Sequence, residues 1–411
     1  MFHPGIDVIE LKNCLSCNSD NLISVLDLNT QPLANSYKKT KEQEEKIFPL
    51  ATNRCDSCFH VQLTHAVNPD LLYKNYLYVS GTSTTMKEHF KWFASYASEY
   101  YRLITAAKPT KVFDIGCNDG TQLNYFRDLG FTTAGIDPAL NLYDGSTKSH
   151  LVFPTYFDDK FVESHKTEYD IITAQNVFAH NHNPIKFLCN VKKLMDNDTL
   201  LFIQTSQADM ILNNEFDTIY HEHISFYNVK SMRALCERAG MFLLDVIKCP
   251  LHGNSYIFVI SRNSLVNRPA NISNIIHMEK KAGLYDPQTY DEYKNGCLRV
   301  KSDLAFVVER FRKTHQIVGY GAAAKGMTLL NFTGIDMEYI VDDNPLKQGL
   351  FTPGRNIPIV DSSRLVLDHD KPTLFIPLAW NFYEEIKMKI KRSRSNTEDK
   401  YCTYFPRVEV E

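Results

Sequence analysis

No stretch of this 411-residue chain stays apolar for the roughly 18 consecutive residues that crossing a bilayer requires. A membrane-spanning helix is therefore not expected. Net charge is also scarce: 45 Lys and Arg stand against 48 Asp and Glu, leaving −3. Such a balance gives no reason to expect nucleic acid or another polyanion as partner. Tandem repeats and low-complexity tracts are missing. The opening MFHPGIDVIELKNC lacks both the basic and the apolar region of a secretory leader, so a cytoplasmic protein is expected. What is present is ordinary globular composition, 44% hydrophobic and 23% charged. The chain is too long for one core, and two or three domains are expected.

Most of the ten cysteines stand singly, as reduced packing residues do. Four do not. CLSC (Cys14, Cys17) and CDSC (Cys55, Cys58) are two knuckles, each offering two thiolates from one tight turn, which suits tetrahedral zinc. The run between them exceeds the usual ribbon spacing, so a small subdomain should fill it. Four thiolates leave no open coordination position, and the expected Zn²⁺ is structural.

From Lys111 the pattern becomes α/β. KVFDIGCND reads as a buried strand ending in a glycine turn, TQLNYFRDLG as a helix and TTAGID as the next strand. EYDIITAQNV and TLLFIQTS continue the series, predicting a doubly wound parallel sheet over about residues 85–260. A polar break at 263–274 and a charged helical stretch follow. QIVGYGAAAKGMTLLNF and MEYIVDDNP then repeat the strand, glycine loop and helix.

Both glycine loops are candidate nucleotide sites. In the first, Gly116 and Gly120 permit a sharp turn, Asn118 tolerates positive φ, and Asp137 closes the next strand, where a carboxylate can accept from both ribose hydroxyls. This pattern is shared by dinucleotide folds and by S-adenosylmethionine (SAM) methyltransferases. Asp119 beside the loop would repel a pyrophosphate and favours a ligand with a positive centre. In the second loop, Lys325 begins a helix whose amides suit phosphate, so a pyrophosphate-linked substrate or NAD fits.

In sequence order, the two knuckles, PLANSY (Pro32 to Tyr37), YLYVSGTS (Tyr76 to Ser83), DIGCNDG, QNVFAH, FDTIYHEH, HGNS (His252 to Ser255), GYGAAAKG and VDDNPLKQG resemble the nucleotide-sugar C-methyltransferases. These enzymes make branched deoxysugars such as tetronitrose, mycarose and noviose. The resemblance implies a zinc-binding module at 1–75, a central Rossmann-like SAM domain at 76–263 and a C-terminal Rossmann-like domain at 264–411 that helps hold the sugar nucleotide. It assigns SAM to Gly116, Asn118, Asp119, Gly120, Asp137, Pro138 and Gln175, with Tyr76, Tyr78 and Ser83. It assigns the sugar nucleotide to Gly321, Ala322, Lys325, Asp343, Asn344 and Lys347. The family commonly has HGGS where HGNS stands, a departure that bears on which sugar is used.

Methylating carbon requires an enolate, hence a base, a partner for the enolate oxygen and a sulfonium methyl in line. Histidine suits the base because its pKa lies near operating pH. The resemblance puts that role on His223, with Tyr220 donating to the enolate oxygen and Glu222 bonding a sugar hydroxyl or orienting the site. His180 and Asn176 are the other candidates near the ketone, and His221 is left structural. The expected substrate is an NDP-4-keto-6-deoxysugar methylated at C3, with C5 as the alternative. An NAD-dependent sugar oxidoreductase is the rival enzyme, although no YxxxK pair accompanies the second loop. Oligomeric state is open.

Overall fold

The computed structural model describes residues 5–73, 79–82, 84–143, 149–206, 208–249, 255–264 and 271–411. Tyr76, Tyr78, Ser83 and His252 to Asn254 lie outside the described residues.

The N-terminal unit opens with β1 (Val8–Glu10) and holds β2 (Leu22–Pro32), β3 (Ile47–Cys55), β4 (Val61–Leu63) and β5 (His65–Val67). β1 pairs with β5. β2, β3 and β4 form an antiparallel sheet that places Cys55 at a strand end beside the first knuckle.

The central unit runs through β6 (Lys111–Ile115), β7 (Thr132–Ile136), β8 (Leu151–Phe153), β9 (Ile171–Gln175) and β10 (Leu200–Ser206). After β11 (Ser225–Phe226) come β12 (Phe242–Cys249) and β13 (Ser255–Ser261). The seven-stranded sheet has the order β12-β13-β10-β9-β6-β7-β8. β6 to β10 are parallel, the inner strands β6, β9 and β10 buried on both faces and the edge strand β8 leaving Leu151 exposed, while β13 is antiparallel to both neighbours. One face packs on Phe93 and Ala97 of the helix Thr84–Thr105 and on Phe126. The other packs on Phe161, Leu188 and Val191.

The helix Asn271–Lys281 lies beyond the expected boundary at 263 but rests on this sheet. Ile272, Ile275 and Ile276 join its core, and both Glu279 oxygens accept from Val229 N at 3.1 Å. The polar break before it interrupts the chain, not the packing.

The C-terminal unit has β14 (Gln316–Tyr320), β15 (Tyr339–Val341), β16 (Ile359–Val360), β17 (Thr373–Pro377), β18 (Lys400–Thr403) and β19 (Glu409–Val410). They are ordered β16-β15-β14-β17-β18-β19, parallel except the last. A single apolar cluster joins the units, running from Leu28 and Leu63 through Phe216 and Ile219 to Val300, Leu330 and Ile376.

β11 does not join the large sheet. It is the fourth strand of the N-terminal one, antiparallel to β4, with Ser225 opposite Gln62 and Phe226 opposite Val61.

Candidate active site

The four knuckle thiols converge. Cys14 Sγ lies 3.6 Å from Cys58 Sγ, and Cys17 Sγ lies 3.5 Å from Cys55 Sγ. All four sulfurs fall within 4.8 Å of one another. A tetrahedron of zinc–sulfur bonds of about 2.3 Å separates its corners by about 3.8 Å, so the thiols fit Zn²⁺ with little adjustment. No other group of three or more Cys, His, Asp or Glu side chains converges this way among the described residues. A metal on His221 and His223 is thereby unsupported.

The zinc module is tied to the segment that follows β10. Leu63 N donates to Ile224 O at 2.9 Å. Asn228 Nδ2 donates to Phe59 O at 2.7 Å, and Ser16 Oγ donates to Ser231 O at 2.6 Å. Residues 220–223 therefore form a turn held between module and sheet, not a strand.

A cavity of about 1190 Å³ opens where the three units meet. Single small-molecule sites run from roughly 300 to 1000 Å³, so there is room for two ligands side by side. Its wall includes Asn35 and Tyr73 from the N-terminal unit, Asp114, Gly116, Asn118 and Asp137 from the central unit, and Lys325 and Lys347 from the C-terminal unit.

On the central side, Gly116 has φ +77°, and a Cβ there would sit 3.0 Å from Val177. Glycine is required for both reasons. Asn118 adopts φ 51°. Its amide donates to Asp137 Oδ2 at 2.9 Å, and Ala139 N donates to Asp137 Oδ1 at 2.8 Å. Burial raises the Asp137 carboxyl above its usual range, against those two amides. Pro138 and Gln175 also line the cavity.

Asp119 and Gly120 do not line it. Asp119 accepts from Gly81 N at 2.9 Å and from Thr121 N at 3.1 Å, so it holds the preceding loop and starts a helix. Asn118 Oδ1 likewise takes Ser80 N at 2.9 Å. The repulsion argued from Asp119 thus acts on its own loop. Asp114, which opens the DIGCNDG motif and was not singled out, faces the cavity instead. Burial pushes it up to about 7, against a 2.6 Å bond from Thr173 Oγ1.

On the opposite wall, Tyr220 and His223 line the cavity. His223 Nδ1 faces Thr218 O at 3.1 Å, and a carbonyl only accepts, so Nδ1 carries the proton. Nε2 then presents its lone pair, 2.7 Å from the Tyr220 hydroxyl. His180 lies between Tyr73 and His223, with ring centroids 5.7 and 5.4 Å away. Burial lowers His180 to about 4, so it is neutral near pH 7 and puts no repelling charge beside His223. Asn176 lines the same wall at φ 56°.

Glu222 does not line the cavity and is 2% exposed, accepting from Asn35 Nδ2, which does line it, at 2.5 Å. The sugar-hydroxyl role suggested for it lacks access, and the orienting role fits. His221 is 1% exposed, edge-on to Phe48, and held by burial at about 4.

The C-terminal loop reaches the cavity through Ala323, Ala324 and Lys325, one step beyond Gly321 and Ala322. Ala322 O is taken by Tyr37 OH at 2.5 Å and Lys347 Nζ at 2.7 Å, and Ala322 N donates to Asp342 Oδ2 at 2.6 Å. Asp343 and Asn344 are not on the cavity wall. Asp343 bonds Tyr320 OH and Lys389, and Asn344 Oδ1 caps its own turn through Leu346 N. Asp342, at the end of the following strand, does not line the cavity either. Asn35, inside PLANSY, also lines the cavity, as do Tyr73 and Asn381, which carry no motif signal of their own. Only long-range pairing brings them there.

Three family models match consecutive parts of the chain. Residues 14–73 match a candidate zinc binding domain, 89–246 a methyltransferase domain, and 250–406 a C-methyltransferase C-terminal domain. Along nearly its whole length the chain is similar to the C-methyltransferase NovU of Streptomyces niveus, 28% identical over 389 residues, covering 92% of this chain and 91% of that one. A ubiquinone biosynthesis O-methyltransferase of Glaesserella parasuis is 30% identical over 105 residues, 23% of this chain and 44% of that one. Among solved structures, the plantazolicin methyltransferase BpumL in complex with SAH matches 42% of this chain and 85% of its own, at 19% identity and a TM-score of 0.36.

Proposed function

We propose, for a chain that belongs to the SAM-dependent C-methyltransferases with an N-terminal zinc module, that the acceptor is a nucleotide-linked keto-deoxysugar. Methylation at C3, beside a 4-ketone, is the reading we favour. The observation that carries it is the His223 ring. Its Nδ1 proton is fixed on Thr218 O, and its Nε2 lone pair meets Tyr220 OH at the wall of a cavity with room for a second ligand.

When the ketone oxygen enters, the Tyr220 proton turns to it and leaves Nε2 facing the α-hydrogen. His223 takes that proton, the carbon–hydrogen pair becomes the enolate, and Tyr220 stabilises the oxygen. A base and an oxyanion donor of this kind contribute roughly 10²–10⁴-fold and 10²–10³-fold. SAM would be held along Gly116, Asn118 and Asp137 and would supply an electrophilic methyl, its methyl–sulfur bond breaking as the enolate carbon bonds that methyl and S-adenosylhomocysteine leaves. The proton stays on His223 until solvent removes it. Lys325 and Lys347 line the cavity and would offer their cations to the diphosphate.

The test is solvent deuterium exchange into candidate NDP-4-keto-6-deoxysugars in the presence of S-adenosylhomocysteine, which allows enolisation without methyl transfer. His223→Gln should lower the exchange rate by about 10²-fold or more while both ligands still bind. His221→Gln should change it little. Exchange at the wild-type rate in the His223 variant would transfer the role to His180. The mass and NMR spectrum of the methylated product distinguish C3 from C5.

A further inference from the structure

Asp217 lies three residues before Tyr220 and is fully buried. Its Oδ2 accepts from Trp380 Nε1 at 2.8 Å, while Oδ1 is buried with no hydrogen-bond partner. A buried carboxylate oxygen without a donor is costly unless a cation compensates. The cation is Lys325. Its Nζ sits 5.0 Å from the centroid of the Trp380 ring, and its charge acts on both Asp217 and the neighbouring buried Glu215. Burial pushes these carboxyls up, to about 6 and about 7, and Lys325 is the strongest influence pulling each back.

The same stretch governs the base. Thr218 O holds His223 Nδ1, and Ile219 O accepts from Thr328 Oγ1 at 3.1 Å, on the helix that begins beside Lys325. Residues 215–219 therefore bond the enolising histidine through Thr218 O and meet the C-terminal lysine through its charge and through the Trp380 ring that Asp217 holds. Lys325 lines the cavity, as do Ala379 and Asn381 on either side of Trp380.

We propose that Asp217 is a positioning residue that fixes Lys325 and the Trp380 turn at the cavity wall, so that the substrate diphosphate is gripped in register with His223. This rests on the reading of the acceptor as a nucleotide-linked sugar. A lysine on four rotatable carbons binds an anion less well when it must first be ordered. Asp217 and the Trp380 ring order it beforehand.

The experiment titrates uridine and thymidine diphosphate, and separately S-adenosylhomocysteine, into the full-length wild type, D217N, K325A and the double variant. The asparagine side chain keeps an oxygen for Trp380 and loses only the charge. D217N should weaken nucleoside diphosphate binding about 3- to 10-fold, the scale of ordering one long side chain. K325A should cost about 10-fold or more, and the double variant no more than K325A alone. S-adenosylhomocysteine affinity should stay within about two-fold throughout. Additive losses, or equal loss of both ligands, would reduce Asp217 to a structural role and overturn the inference. Diphosphate binding that D217N leaves intact would overturn it while sparing the substrate reading. A wild type that binds S-adenosylhomocysteine but neither diphosphate would sink both. Should D217N not fold, Trp380→Phe keeps the ring and removes the N–H, and the same selective loss is expected at the lower end of that range.

Discussion

Asp114 and Asp137 stand at the ends of adjacent strands and carry different loads. Asp137 spreads its charge over two backbone amides, whereas burial holds Asp114 near 7 with one hydroxyl in compensation. The sign follows from linkage. Below its ordinary value of 3.8 Asp114 is neutral in both folded and unfolded chains, and it costs nothing. Between there and about 7 the unfolded chain releases the proton first, so its contribution to stability falls as pH rises and levels off above 7. Asp114→Asn should therefore raise the melting temperature of the ligand-free protein at pH 8, with the gain vanishing toward pH 4. A gain independent of pH would contradict the assignment. Asp137→Ala would remove the proposed ribose acceptor and loosen the Asn118 amide, and calorimetry should show SAM bound about 1–3 kcal/mol more weakly. Residues of this kind were legible wherever the backbone is locally demanding: Gly116, Asn118 and the terminal carboxylate of the next strand follow from one turn. Where Asp119 and Glu222 point was not legible, because a charge beside a motif does not say which way it faces. Gly81 and Asn35, distant in sequence, decide that.

The segment Phe216 to Asn228 acts as one element although its backbone is irregular. Its first part meets Trp380, its middle carries Tyr220 and His223, and its end supplies β11 and the cap of the helix Val229–Arg238. Asn228 caps that helix through Ser231 N at 2.7 Å and reaches the carbonyl of Phe59 beside the second knuckle. Asn228→Ala should cost about 1–2 kcal/mol, the upper range for a cap, read as a lower melting temperature. Its more telling effect should be slower deuterium exchange at unchanged S-adenosylhomocysteine affinity, because it frees the end of the segment that carries Tyr220 and His223. The strands β6, β7, β9 and β10 were visible as buried runs, the first ending in a glycine turn. β11 was not, since two residues carry no periodicity and its partner lies at Val61 and Gln62.

For the molecule as a whole, the order of three units could be read from spacing and resemblance, but not the way they share one core and one cavity. That depends on apolar contacts between Leu63, Phe216 and Leu330, which no local pattern announces. The zinc site gains a role from this arrangement. Elemental analysis should find about one equivalent of zinc, and Cys55→Ser should lower the melting temperature. Partial chelation should slow deuterium exchange before it weakens S-adenosylhomocysteine binding, because the metal orders the sheet that carries β11, while the cofactor loop belongs to another sheet. Parallel loss of both would mean that the metal holds the entire fold. The cross-pairing of β11 with β4 also limits how such a chain can be recombined. A crossover with a relative anywhere between the second knuckle and residue 225 would set a strand from one parent against a sheet from the other. Chimeras built to change the acceptor should therefore exchange residues 14–67 and 216–228 together, or leave both in place.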